Sequence, residues 1–113
     1  MRTGSVSPMP PAYIILTSKP GQFRTEPGDG VRPAETYDYF AHGRVRARFV
    51  IGEVLSEAKV RVIDETDPPV VNNVPCKFFP RFDSLERARH ELGQLADLKA
   101  NAAGRSGNKL VKV

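Results

Sequence analysis

The sequence predicts an α+β fold in which a small antiparallel sheet of four or five strands carries one C-terminal helix on its apolar face. Three observations support this prediction. Residues 44–49 alternate between arginine and apolar side chains, the period of a half-buried strand. Two strand-like runs flank His42-Gly43, which suits a two-residue hairpin loop. Apolar residues recur at helical spacing after Asp83.

The first strand is expected over residues 13–17, a short run of β-branched and aromatic residues that a Lys-Pro-Gly sequence ends. Residues 19–33 contain three prolines and three glycines, which is typical of a long connection rather than of a strand or helix. A connection of this length is often mobile or functional.

The central strands are expected to form two consecutive hairpins. Residues 35–41 and 44–53 form the first hairpin. Residues 58–64 are expected to pair antiparallel with residues 44–53 in the second hairpin, because the link between the two runs is short. With Ala41 opposite Arg44, the first hairpin has the pairs Phe40–Val45, Tyr39–Arg46 and Tyr37–Arg48. With Val54 opposite Glu57, the second has the pairs Phe49–Val62, Ile51–Val60, Arg46–Glu65 and Arg44–Asp67.

Both registers assign the side chains to the same two faces of the sheet. The apolar face gathers Phe40, Val45, Ala47, Phe49, Ile51, Val60 and Val62. The opposite face gathers Tyr37, Tyr39, Arg44, Arg46, Arg48, Arg61 and Glu65.

The last third of the domain combines a proline-rich segment with a helix. Four prolines interrupt residues 66–82, and residues 74–82 are expected to pack, as an edge strand or otherwise, through Phe78, Phe79 and Phe82. Asp83 at the N-cap with Glu86 three residues later resembles a capping box. The helix is expected to end near Lys99 and to pack Leu85, Ala88, Leu92 and Leu95 on Phe49, Ile51, Val60 and Val62.

The length of 113 residues fits one domain, and the charge distribution marks its ends. Residues 13–99 contain equal numbers of basic and acidic side chains, so the net charge of +4 lies in the two terminal segments. We therefore expect a flexible segment over residues 1–12, a neutral domain over residues 13–99 and a flexible basic tail over residues 100–113.

Several classes of function lack their sequence signature. One cysteine, Cys76, excludes an internal disulfide, and neither His42 nor His90 has metal ligands at a recognisable spacing. The glycines have no phosphate-binding spacing, so no cofactor is expected. No apolar run is long enough for a membrane span, and Pro8, Pro10 and Pro11 argue against a signal peptide. We expect a cytoplasmic protein, and the absence of a catalytic signature leans against an enzyme without deciding the question, because a small site of Arg, Tyr and His between protomers stays open.

The leading hypothesis for function is a small cytoplasmic accessory or binding protein that acts through protein–protein contact or self-association into a homo-oligomer. Open sheet edges and the proline-rich segment suit docking of a partner. The alternative is a nucleic-acid-binding module that uses the face of alternating tyrosines and arginines together with the basic tail. Predicted cross-strand ion pairs would neutralise that face, which favours protein contact. The candidate partner-binding residues are Tyr37, Tyr39, Arg44, Arg46, Arg48, Phe78 and Phe79.

Overall fold

The computed structural model describes residues 12–56, 59–103 and 109–113. They form, in chain order, β1 (Tyr13–Ser18), β2 (Phe23–Glu26), β3 (Val31–Ala41), β4 (Arg44–Val54), β5 (Lys59–Asp64), β6 (Val70–Pro75), α1 (Leu85–Ala103) and β7 (Lys109–Lys112). The fold is mixed α+β with antiparallel pairing throughout, as predicted. It contains two sheets rather than one: a large sheet in the order β1-β4-β3-β7 and a small sheet in the order β2-β5-β6.

The hairpin of β3 and β4 forms around the predicted turn. His42 and Gly43 both have positive φ, at 56° and 71°, as a two-residue turn that matches the twist of the strands requires. Next to the turn the predicted pairs hold, with Ala41 opposite Arg44 and Phe40 opposite Val45.

A β-bulge then shifts the register of this hairpin by one residue. Arg46 is the extra residue of β4 and has no residue of β3 opposite it. Tyr39 consequently lies opposite Ala47, and Tyr37 lies opposite Phe49. The predicted pairs Tyr39–Arg46 and Tyr37–Arg48 are therefore wrong. Because side chains alternate between faces, the shift turns both tyrosines to the side of Phe49.

The second predicted hairpin does not form. β4 has β1 as its other neighbour, with Thr17 opposite Phe49, and β5 pairs with β2 and β6 in the small sheet. The predicted pairs Phe49–Val62, Ile51–Val60, Arg46–Glu65 and Arg44–Asp67 are thus wrong. Alternation in β5 fixes which side chains share a face, but it does not fix which strand lies alongside.

The connection predicted over residues 19–33 contains a strand. A tight turn closed by hydrogen bonds between Lys19 and Phe23 leads into β2, and β3 already begins at Val31. Thr25 ties β2 to the end of β1, since its hydroxyl donates to the Thr17 carbonyl and its N–H donates to the Ser18 hydroxyl.

The core has two layers, one on each side of the large sheet. Between α1 and the large sheet lie Tyr39, Ala41, Ala47, Phe49, Ile51, Ala88, Leu92 and Ala96. Between the two sheets lie Ala12, Ile14, Leu16, Val31, Val54, Val60 and Cys76. The predicted packing of the helix on Phe49 and Ile51 is confirmed, whereas Val60 belongs to the layer between the sheets.

The start of α1, its end and the segment that follows it all differ from the prediction. Ser84, not Asp83, caps α1, because its hydroxyl accepts the Arg87 N–H at 3.1 Å. The helix continues to Ala103, and β7 pairs with β3 inside the segment expected to be a flexible tail. The flexible N-terminal segment predicted over residues 1–12 falls, apart from Ala12, outside the described residues.

Candidate protein-contact site

Strand β6 forms an edge of the small sheet that is both open and uncharged. It pairs with β5 on one side, and no described strand lies on the other. Residues 70–75 contain no charged side chain, and Val70 and Val71 are 49% and 51% exposed. Exposed edges in soluble proteins usually carry charges or bulges that discourage further pairing. The strand therefore offers a surface on which another strand can add.

The hydrogen-bond pattern identifies the backbone groups that face outward. Glu65 directly follows β5, and its N–H donates to the Gln22 carbonyl, which directly precedes β2. Because backbone groups alternate in direction along a strand, the odd-numbered residues of β5 turn their N–H and C=O groups toward β2, and the even-numbered ones turn theirs toward β6. Since Val62 lies opposite Asn72, residues 70, 72 and 74 of β6 turn their backbone groups toward β5. Val71 and Asn73 consequently direct their N–H and C=O groups away from the sheet.

Prolines limit the length of this edge. Pro69 and Pro75 occupy the next outward positions on either side, and neither has an N–H to donate. The edge thus presents two residues, Val71 and Asn73, with complete donor and acceptor pairs.

An exposed aromatic ring follows the strand. Residues 76–78 form a 3₁₀ turn that is anchored by Cys76, which is fully buried, and by Phe79, which packs against the core between the sheets. Phe78 lies between these anchors and is 71% exposed, with the Lys77 ammonium 5.8 Å from its ring centre. Of the two phenylalanines proposed from the sequence, Phe78 is exposed and Phe79 is partly buried against the core.

The tyrosines and arginines proposed from the sequence do not form one surface. Tyr39 is buried beneath α1, and Tyr37 is half-buried on the same side of the large sheet. Arg48 lies on the opposite side and binds both carboxylate oxygens of Asp38, at 2.7 and 3.0 Å. These hydrogen bonds raise the pKa of Arg48. Arg44 and Arg46 are exposed near the hairpin turn.

A buried carboxylate that the sequence did not reveal binds three elements together. The Glu35 side chain of β3 is only 7% exposed. It accepts hydrogen bonds from both ends of the Arg89 guanidinium in α1, from Lys112 Nζ in β7 at 3.2 Å and from the Tyr37 hydroxyl at 2.7 Å. Tyr37 is a neighbour in the sequence, but the charged donors Arg89 and Lys112 lie far from Glu35 in the chain, so no local pattern marks the complete cluster.

The donors around Glu35 outweigh its burial. The hydrogen bonds from Arg89 above all, with Tyr37 and Lys112, hold the pKa of Glu35 at about 2, although burial acts in the opposite direction. Burial and the bond to Glu35 raise the pKa of Tyr37, and the same carboxylate raises the pKa of Arg89. The cluster holds a fixed charge in a saturated set of partners, which is the arrangement of a structural clamp.

A cavity of about 540 Å³ lies beside the turn between β1 and β2. Phe23, Val45 and Val50 contribute apolar surface to it. The arginines at its rim are already paired, because Arg24 contacts Glu26 and Glu65 and Arg48 contacts Asp38. The cavity therefore offers apolar volume without an uncompensated charge.

Two kinds of site are not found among the described residues. They contain no group of three or more His, Cys, Asp or Glu side chains placed to hold a metal ion. Nor do they include a helix with the length and apolar character needed to cross a membrane. No protein-family model, no curated protein and no solved structure matches this chain.

Proposed function

We propose that this chain is a protein-binding module that engages its partner by strand pairing along β6. The observation that carries the proposal is the uncharged, exposed edge of β6, with outward backbone groups at Val71 and Asn73. Strand addition obtains its geometry from main-chain hydrogen bonds and its selectivity from alternate side chains.

Phe78 supplies an apolar contact beside this edge. A phenylalanine side chain contributes about 1.5–3 kcal/mol when it moves from water into an apolar contact. Each backbone hydrogen bond contributes a net of about 0.5–1.5 kcal/mol, because water satisfies the same groups in the free protein. The hydrogen bonds at Val71 and Asn73 therefore set the register and also contribute affinity of the same order as Phe78.

The nucleic-acid alternative loses its stacking residues in this geometry. Tyr39 lies under α1, and Tyr37 faces the helix with its hydroxyl held by Glu35. Neither ring shares a surface with Arg48. Stacking on aromatic rings is the main source of affinity for single strands beyond phosphate contacts. Protein contact at β6 is the function that the described geometry favours.

A short peptide that copies β6 tests the proposal. We expect a fluorescently labelled peptide of residues 69–75 to bind dilute protein in an anisotropy titration. The same peptide methylated on the amide nitrogens of Val71 and Asn73 should not bind, because it lacks the donors. Hydrogen exchange should show protection at the Val71 and Asn73 amides of the protein.

Two lysine variants give the matched control. Val71→Lys places a charge on the open edge and should weaken peptide binding at least tenfold. Val111→Lys changes another exposed valine on the edge strand β7 and should leave binding unchanged. Equal binding of the methylated and unmethylated peptides, or equal loss in both variants, would contradict the proposal.

A further inference from the structure

We infer that the partner at β6 is a second copy of this chain, paired antiparallel about a twofold axis that passes beside Asn72. The inference rests on the proposed function, since it names the strand that the edge receives. Two small sheets would join into one six-stranded sheet, with the β6 strands at its centre.

The backbone groups of the edge complement themselves in this register. Val71 of one copy lies opposite Asn73 of the other, and each such pair exchanges two N–H···O=C hydrogen bonds. The twofold axis generates a second pair, so all four outward N–H groups find the carbonyls of Val71 and Asn73. Pro69 then faces Pro75 of the second copy, where neither strand has a donor to leave unpaired.

The side chains of β6 match in the same register. Val70 lies beside Val74 of the second copy, which pairs apolar side chains on one face. Asn72 lies opposite its own symmetry mate, and a carboxamide is both donor and acceptor, so two of them can bond to each other. No charged side chain meets its own copy along residues 70–75.

The charges at the two ends of β6 select the antiparallel orientation. Asp64 and Asp67 lie near its beginning, whereas Lys59 and Lys77 lie near its end. None of the four forms an ion pair within the part of the chain that the structure describes. A twofold axis across the strands brings the acidic end of one copy to the basic end of the other, while parallel pairing would place like charges together.

Light scattering and cysteine cross-linking test the inference. The wild-type mass measured by size-exclusion chromatography with light scattering should rise from monomer to dimer between micromolar and millimolar concentration. At the twofold axis two Asn72 Cα atoms would lie about 4.5 Å apart, a distance that a disulfide spans. Asn72→Cys should therefore give a covalent dimer under mild oxidation.

Asn73→Cys is the matched control for the register. Its symmetry mate would be displaced by two residues, with Cα atoms more than about 7 Å apart, so cross-linking should be slower by tenfold or more. Wild-type protein is the control for the native thiol, and it should not cross-link because Cys76 is buried. Val71→Lys should keep the protein monomeric, whereas Val111→Lys should dimerise like the wild type.

The outcomes separate this inference from the proposed function. A protein that stays monomeric but binds the β6 peptide would overturn the second copy and leave strand addition intact. A protein that neither dimerises nor binds the peptide would overturn both. A dimer that cross-links equally through positions 72 and 73, or that ignores Val71→Lys, would show association elsewhere and would also overturn the inference.

Discussion

Glu35 is a single residue of β3 that ties two other elements of the fold to its own strand. Its carboxylate joins β3 to α1 through Arg89 and to β7 through Lys112. The sequence analysis placed Tyr37 and Tyr39 on a polar surface and gave no role to Glu35, which lies two residues before Tyr37 on the same face of β3. Once the bulge turns those tyrosines toward α1, Glu35 faces the same way and requires charged partners.

Replacing Glu35 tests the clamp. We expect Glu35→Gln to lower the free energy of unfolding by about 1–3 kcal/mol, because hydrogen bonds to a charged acceptor are lost. Glu53→Gln is the control, since its ion-pair partner Arg32 is largely exposed, and it should cost less than about 0.5 kcal/mol. Urea denaturation at neutral pH measures both. Equal effects of the two substitutions would argue against a special role for Glu35.

The depressed pKa of Glu35 gives this residue a defined pH dependence. Its folded pKa of about 2 lies below the ordinary value of 4.5, so its contribution to stability is complete above pH 4.5 and disappears as pH falls toward 2. Wild-type stability should fall across that window more steeply than that of Glu35→Gln. Urea midpoints measured at several pH values in this range would test it, and parallel profiles would contradict it.

Phe78 and Phe79 are adjacent but have different roles. Phe78→Ala should leave the free energy of unfolding within about 0.5 kcal/mol of the wild type, because the ring is 71% exposed. The same change should weaken binding of the β6 peptide. Phe79→Ala should cost more than about 1 kcal/mol, because its ring packs against the core between the sheets. Thermal unfolding and anisotropy together distinguish the two, and a reversed order would contradict the assignment.

At the scale of elements, β7 matters more than its composition suggests. The strand is only four residues long and largely exposed, yet it pairs with β3 over residues 37–40. We expect deletion of residues 109–113 to lower the melting temperature by about 4–8 °C or more, which corresponds to about 1 kcal/mol in a domain of this size. An unchanged melting temperature would show that the strand contributes nothing.

Two lysines at the ends of β7 provide an internal comparison. Lys112→Ala removes a contact to Glu35, whereas Lys109 has no ion pair within the described residues. The first substitution should therefore destabilise the protein more than the second, as measured by calorimetry.

Double-mutant cycles on the free energy of unfolding test the assignment of core residues to two separate sheets. Phe49 and Leu92 belong to the layer under α1, and Phe49→Ala and Leu92→Ala should each cost about 2–5 kcal/mol. Their double variant should deviate from additivity, because the two side chains share one cluster. Phe49→Ala and Val62→Ala should add, since Val62 lies in the other sheet. Additivity in the first pair and coupling in the second would support the pairing predicted from the sequence instead.

For the whole molecule, we expect the net charge of +4 to contribute little to nucleic-acid binding. The surplus of +4 lies outside residues 13–99, and Arg48 is already paired with Asp38. We expect single-stranded oligonucleotides to bind weakly near physiological salt, and the Arg44, Arg46, Arg48 triple alanine variant to bind almost equally. Micromolar binding that survives removal of residues 104–113 and collapses in the triple variant would favour nucleic-acid recognition.

Local patterns in the sequence were sufficient to predict several elements of the fold. Alternation predicted most of β3, β4 and β5, and the helical spacing of apolar residues predicted α1. The dipeptide His42-Gly43 predicted the turn between β3 and β4. These features depend on interactions between residues close in the chain, so a local pattern is enough to find them. The sequence offered an edge strand over residues 74–82, whereas β6 lies at Val70–Pro75 and a 3₁₀ turn follows it, so the two ranges share only Val74 and Pro75.

The neighbours of each strand, and the side chains that share a surface, depend instead on how the elements pack together. One extra residue at Arg46 reversed the faces of Tyr37 and Tyr39, because a shift of one position in a two-residue period exchanges inside and outside. β5 joined β2 and β6 rather than β4, and β7 reached β3 from the far end of the chain. Strand partners and the Glu35 clamp depend on contacts between residues distant in sequence. A local pattern allows several strand pairings equally well, and the packing of the whole core selects one of them.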